Sequence, residues 1–110
     1  MTFHEISGLV GGGNIKSAFE EIKKYTWLPH SEIDNAYKGT NDQLKIVQNR
    51  FGKFIGYEFV KQEIISDSLV KFTYLAKCEN HPLPWFFIFY KAKEKWTLNH
   101  FIWNDAIQSI

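Results

Sequence analysis

The chain is poor in cysteine, in arginine and in net charge, and each shortage argues against a class of protein. A single cysteine, Cys78, cannot form a disulfide within the chain, so the fold must be stable through packing alone. Only Arg50 among the 13 basic residues is an arginine, which argues against bidentate recognition of phosphate or carboxylate groups as a main activity. The formal net charge of +1 creates no global field that would attract nucleic acid or an anionic membrane.

Long apolar runs and complete metal-binding patterns are also missing. No stretch approaches the roughly 18 apolar residues of a membrane-spanning helix. The first residues lack the basic region and apolar stretch of a secretory signal, which favours a cytoplasmic location, although an exported protein whose signal has been removed would look the same. Cys78 and His81 have the spacing of half a zinc site, but no second half follows, so we expect neither a metal ion nor another cofactor.

Aromatic side chains are abundant, at 17% of all residues, and most of the large ones fall in the second half of the chain. This half alternates apolar and polar residues with a period of two, which predicts β-strands over residues 56–65, 69–78, 85–91 and 95–103. The second strand alternates most regularly, with Val70 and Tyr74 on one face and Lys71 and Thr73 on a solvated face. On the first strand we expect partial burial of the apolar residues Tyr57, Phe59, Val60, Ile64 and Ile65.

The first half of the chain carries helical patterns instead. Its apolar residues recur at the spacing of one helix face, and the predicted helices cover residues 14–26, 31–38 and 41–51. Pro29 separates the first helix from the second because it disfavours helical geometry at the residue before it. Gly39 is expected to stop the second helix, and Gly52 is expected to end the third.

These elements predict one domain preceded by an arm. Residues 1–13 end in three consecutive glycines and are expected to be flexible, which leaves residues 14–110 as a single domain. Helices followed by a strand meander are typical of an α+β fold. We therefore expect the helices to pack on one face of a curved antiparallel sheet of about four strands.

Three segments of the second half are the most characteristic, and they read FGKFIGYE at 51–58, WFFIFYK at 85–91 and KWTLNHFIWND at 95–105. In this order, after the helices, they resemble the nuclear transport factor two-like superfamily, and within it small bacterial proteins of unknown function. The resemblance covers about residues 14–105 and implies a cystatin-like α+β cone with a cavity between the helices and the concave sheet face. That superfamily includes isomerases, dehydratases, epoxide hydrolases, polyketide cyclases and many non-catalytic binding modules.

The implied cavity would be lined by aromatic residues and one histidine. We expect a small apolar ligand to contact Tyr57, Tyr74, Trp85, Tyr90, Trp96 and His100. Counting by period two places His100 on the same face as Trp96, Leu98 and Ile102. The tyrosines fit equally well as core residues with their hydroxyls at the rim, so the aromatic excess is compatible with a filled core and with a cavity.

The leading hypothesis is a non-catalytic binding or interaction domain, because no set of residues matches a catalytic arrangement of the superfamily. The alternative is a small lyase, isomerase or hydrolase in which His100 or a neighbouring acid such as Asp105 acts as general base. A third hypothesis is a structural domain of a larger assembly. Base stacking on nucleic acid is disfavoured because the chain lacks a basic aromatic RNA-binding motif.

The third and fourth predicted strands carry apolar residues on both faces. On the third strand, Trp85 and Phe87 point one way while Phe86 and Ile88 point the other. Since the helices cover only one face, the other face is expected to meet a partner. We therefore predict a homodimer that forms through the sheet.

Overall fold

The computed structural model describes residues 12–110, so residues 1–11 of the predicted arm lie outside the described part. Within that part, two helices precede a four-stranded antiparallel sheet, which confirms the predicted α+β class. The elements are α1 (Ile15–Lys23), α2 (His30–Phe51), β1 (Phe54–Ser66), β2 (Leu69–Cys78), β3 (Pro82–Lys91) and β4 (Trp96–Trp103), followed by a 3-10 turn at Ile107–Ser109. The strand order is β1-β2-β3-β4, the predicted meander, and β2 has the predicted bounds.

The predicted break at Gly39 is wrong, because α2 runs through it without interruption. The buried residues Ile33, Thr40 and Leu44 continue at helical spacing across the glycine. A glycine inside a helix costs only about 1 kcal/mol relative to alanine, and the burial of one helix face readily exceeds that cost. Tertiary packing therefore joins the two predicted helices into one of 22 residues.

The core lies between the two helices and one face of the sheet, which we call the helix-side face. Phe19 of α1 lies at its centre and contacts three other rings edge-on, with centroid distances of 5.8 Å to Tyr37, 6.4 Å to Trp85 and 5.5 Å to Phe101. Edge-to-face pairs of this kind add about 0.5–1.5 kcal/mol each beyond the burial of area. The fully buried residues around it include Ile22, Ile33, Leu44, Tyr74, Leu83, Phe87 and Leu98.

A β-bulge in β4 changes which residues of that strand face the helices. Ile88 pairs with His100 and the next residue, Phe89, pairs with Leu98, so Asn99 is the extra residue. His100 therefore lies on the opposite face from Leu98, and the prediction that they share a face is wrong. Simple period-two counting fails at this strand because it assumes an unbroken ladder.

The expected burial of β1 is also wrong. Tyr57, Phe59, Val60, Ile64 and Ile65 are all exposed, with Ile64 at 73%. The reason is topological: β1 is an edge strand, and among the described residues the core takes side chains from β2, β3 and β4 but only Phe54 from β1.

The other sheet face, which we call the outer face, carries Lys71, Thr73, Phe86 and Ile88 on its two central strands. Thr73 was predicted to be solvated, but it is fully buried. Phe86 is also buried, and the ammonium group of Lys71 lies 4.6 Å from the centroid of its ring. Long side chains on neighbouring strands thus cover part of this face, as the alkyl stem of a lysine commonly does.

Replacing Gly39 with alanine should stabilise the protein. A Cβ added at this position meets no atom within 4 Å, and the helical backbone there suits alanine. We expect the free energy of unfolding to rise by about 0.5–1 kcal/mol in urea denaturation.

Gly52→Ala is the matched control for that substitution. Gly52 has a φ of +92°, and an added Cβ would lie 2.8 Å from Cβ of Glu79. We expect this variant to lose more than about 1 kcal/mol. A loss of stability in Gly39→Ala would contradict the open surroundings that the structure gives Gly39.

Candidate functional site

A groove lies between α2 and the edge strand β4. Its volume is about 460 Å³, and it is lined by Leu28, Glu32, Ile33, Ala36, Gly39, Thr40, Gln43, His100, Phe101, Ile102 and Trp103. Residues 32, 33, 36, 39, 40 and 43 fall on one face of α2, because each has another member of the set three or four positions away. The wall of the groove thus consists of one helix stripe, the last four residues of β4 and Leu28 from the connection before α2.

The chain between the two helices fixes the position of β4 beside the groove. Thr26 forms a parallel bridge with Leu98, whose amide donates to the carbonyl of Tyr25 over 2.6 Å. The indole Nε1 of Trp27 donates to Oδ1 of the bulge residue Asn99 over 2.8 Å. These bonds attach the α1–α2 connection to the edge of β4.

The inner wall of the groove is held by aromatic contacts to the core. Trp103 stacks on Trp85 with 6.0 Å between the ring centroids, and its Nε1 donates to Oγ1 of Thr40 over 3.2 Å. The ring of Phe101 packs edge-on against Phe19. Both half-buried rings are therefore fixed by contacts on their inner side and contribute a preformed apolar surface.

Most polar side chains among the lining residues are exposed to solvent. Glu32, Gln43 and His100 are exposed, whereas Thr40 is buried and accepts the Trp103 hydrogen bond. Glu32 and Gln43 form the polar margins of the groove along α2, and the stretch between them presents Ala36, Gly39 and the buried Thr40 opposite the rings of Phe101 and Trp103. Such a site can hold an apolar body and hydrogen-bond a polar group at its end.

The displaced pKa values belong to residues outside the groove lining. Between the helices, a hydrogen bond of 2.7 Å from Nζ of Lys23 to Asp34 raises the pKa of the lysine and lowers that of the carboxyl. In β2, burial and the nearby Glu79 raise the pKa of the Cys78 thiol. Burial and the neighbouring Tyr57 raise the pKa of Tyr74 to about 12.

The structure does not bring together the six residues that the sequence predicted as ligand contacts. Among them only His100 lines the groove. Trp85 is buried in the core and Tyr74 is buried beside Phe87, whereas Tyr57, Tyr90 and Trp96 are exposed at 42%, 43% and 39%. The helix-side face that was expected to enclose a cavity is filled by side chains at its centre.

Sequence reasoning missed most of the residues that do line the groove. The available signal was in α2, where the small residues Ala36, Gly39 and Thr40 recur at helical spacing without breaking the helix. A glycine and a small hydroxyl residue at this spacing indicate an open or polar patch on a helix face. Because Gly39 was interpreted as a helix stop, that signal was lost.

Two searches of residues 12–110 were negative. No group of three or more His, Cys, Asp or Glu side chains is arranged to hold a metal ion in this part of the chain. Neither of the helices described above combines the length and the apolar character needed to cross a membrane.

Three comparisons with known proteins give no match. No protein-family model matches the chain, and neither a curated protein nor a solved structure shows significant similarity. The resemblance to the nuclear transport factor two-like superfamily stays a prediction from sequence. Function has to be inferred from the geometry of the described residues.

The raised pKa of Tyr74 predicts how stability responds to alkali. Its folded-state pKa of about 12 exceeds the ordinary value of 10.0, so the unfolded chain releases this proton first as the pH rises. The contribution to stability is complete below pH 10 and is lost as the pH rises toward 12. Urea denaturation between neutral pH and pH 11 should therefore show a smaller alkaline loss in Tyr74→Phe than in the unmodified protein.

Tyr90→Phe is the control for the loss of a tyrosine hydroxyl, because it makes the same substitution at an exposed position. Equal alkaline losses in Tyr74→Phe and the unmodified protein would contradict the assignment.

Proposed function

We propose that this protein is a non-catalytic binding domain that holds a small apolar molecule in the groove between α2 and β4. The observation that carries this proposal is a preformed groove with an apolar middle and polar margins. The rings of Phe101 and Trp103 supply the apolar surface, and Glu32 and Gln43 of α2 supply hydrogen-bonding groups.

The dimensions of the groove suit a small molecule. Its volume of about 460 Å³ lies within the roughly 300–1,000 Å³ that is usual for ligand sites. Gly39 contributes to this space because it presents no side chain, and an added Cβ would meet nothing within 4 Å. A ligand at this point would contact the backbone of α2 directly, as glycine permits.

The aromatic wall is already ordered, so covering it with a ligand costs little conformational entropy. Phe101 and Trp103 are held by Phe19, Trp85 and Thr40, so little side-chain freedom would be lost when a ligand covers them. A binding site that is already ordered avoids about 0.5–1.5 kcal/mol for each side chain that would otherwise have to be immobilised.

The polar groups at the margins suit recognition better than general acid–base catalysis. Glu32 and His100, the two titratable residues of the lining, are both exposed to solvent. A catalytic acid or base is usually held away from water so that its pKa moves toward neutrality. The exposed side chains of Glu32 and Gln43 on α2 can instead accept from or donate to the polar end of a ligand.

The proposal includes membership of the nuclear transport factor two-like superfamily. It is supported by the order of elements, with helices before a four-stranded antiparallel meander. The groove lies at one edge of the layer between the helices and the sheet, where that layer remains open. In this protein the ligand would bind at that edge rather than in the filled centre.

The test measures binding of an apolar anionic probe, anilinonaphthalene sulfonate, by its fluorescence in titrations of the folded protein. Gly39→Phe should weaken probe binding at least about tenfold, because the new ring would occupy the groove. A tenfold loss of affinity corresponds to about 1.4 kcal/mol of binding free energy.

Asn49→Phe is the matched control. Asn49 is exposed on α2 but does not line the groove, so the same ring added there should leave probe affinity unchanged. If Gly39→Phe binds the probe as tightly as Asn49→Phe, the groove is not the binding site.

A further inference from the structure

The two edges of the sheet differ in whether another part of residues 12–110 bonds to them. At the β4 edge, Leu98 has a backbone partner in the Tyr25–Thr26 segment, and Trp27 bonds to Asn99. At the β1 edge, no strand among residues 12–110 lies beyond β1. A sheet edge that presents its N–H and C=O groups is a template for pairing with another strand.

The β1 edge is long and apolar. The strand has 13 residues, and Ile55, Ile64 and Ile65 are exposed by 62%, 73% and 56%. Isoleucines at this level of exposure on an edge strand are unusual in a chain that remains monomeric, because such strands are prone to pair with one another. The surface therefore has the apolar character of an interface.

Two segments of β1 are in regular register with β2, residues 56–59 and residues 61–64, and the second carries the charges that matter for pairing. The ladder with β2 has irregularities between Phe59 and Lys61 and between Ile64 and Ser66, and residues 61–64 between them pair one-to-one with β2. Bulges re-aim and twist a strand, so a second strand would pair more easily along a regular segment such as this one than across a bulge. Gln62 is exposed in this segment.

The charges of this segment are self-complementary. Lys61 and Glu63 lie on the same face, where Nζ of the lysine is 3.6 Å from Oε1 of the glutamate. An antiparallel copy related by a two-fold axis through Gln62 would place Lys61 opposite the partner's Glu63, and this pair would occur twice. The same register would place Val60 opposite the partner's Ile64.

A mid-strand lysine usually prevents edge pairing because pairing would desolvate its charge. In the two-fold arrangement each Lys61 would instead gain a second carboxylate. Lys61 precedes the neutral Gln62 and Glu63 follows it, so an antiparallel copy pairs opposite charges on both sides of the axis. This pattern favours a second copy of the same chain over an unrelated strand.

From these observations we infer that the protein forms a homodimer by antiparallel pairing of β1 with β1, centred on Gln62, which joins two four-stranded sheets into one of eight strands. This interface differs from the one that the sequence predicted on the face of β3 and β4. It is also independent of any ligand in the α2–β4 groove.

Sedimentation equilibrium over a range of protein concentrations tests the inference with two variants. Lys61→Glu would place like charges opposite each other twice and should weaken dimerisation at least about tenfold. The double variant Lys61→Glu with Glu63→Lys exchanges the two charges and restores both pairs in the register centred on Gln62. It should dimerise as tightly as the unmodified protein.

Each result decides the matter. Circular dichroism first establishes that both variants keep the fold. A monomeric unmodified protein at every concentration would overturn the inference, and a dimer indifferent to Lys61→Glu would place the interface elsewhere, for example on the outer face. A folded double variant that remains as weak as Lys61→Glu would overturn the proposed register.

Discussion

The arrangement of the groove depends on the bulge at Asn99. Before the bulge, Leu98 points into the core, and after it Phe101 and Trp103 take the helix side while His100 lies on the opposite face from Leu98. An unbroken ladder would have exchanged these roles and placed His100 and Ile102 against the helices. The bulge is itself fixed from outside the sheet, since the indole of Trp27 bonds to the side chain of Asn99. One extra residue thus determines which side chains form the apolar wall.

The period-two and period-3.6 patterns were sufficient to predict the architecture, because burial of one face is the dominant contribution to the stability of each element. The bounds of β2 followed directly from alternation. The sequence could not reveal that Gly39 lies inside a helix, since the energy that holds α2 together comes from contacts of Ile33 and Leu44 with other elements. At Gly39 the local propensity disfavours a helix and the tertiary packing favours one, and the packing contribution is the larger.

The candidate site was less predictable than the fold. Aromatic density identified the right half of the chain, but a strand pattern does not reveal which strand lies at an edge. Trp85 is buried in the core, whereas Tyr57 is exposed on the edge strand β1, although both satisfy the same period-two pattern. His100 was correctly located on the last strand, but its direction depended on a bulge that no alternation pattern encodes. The predicted face or burial of a residue was wrong where a single inserted residue or an edge position decided the geometry.

The only thiol of the chain is enclosed by the same core that holds the groove in place. Cys78 is 5% exposed at the end of β2, and burial raises its pKa, so the fraction present as reactive thiolate is low in the native state. Alkylating reagents would reach this sulfur chiefly when the adjoining strands separate. The native protein therefore contains an internal reporter of transient opening, because the rate of chemical labelling at one atom follows the population of molecules in which the sheet has come apart at that end.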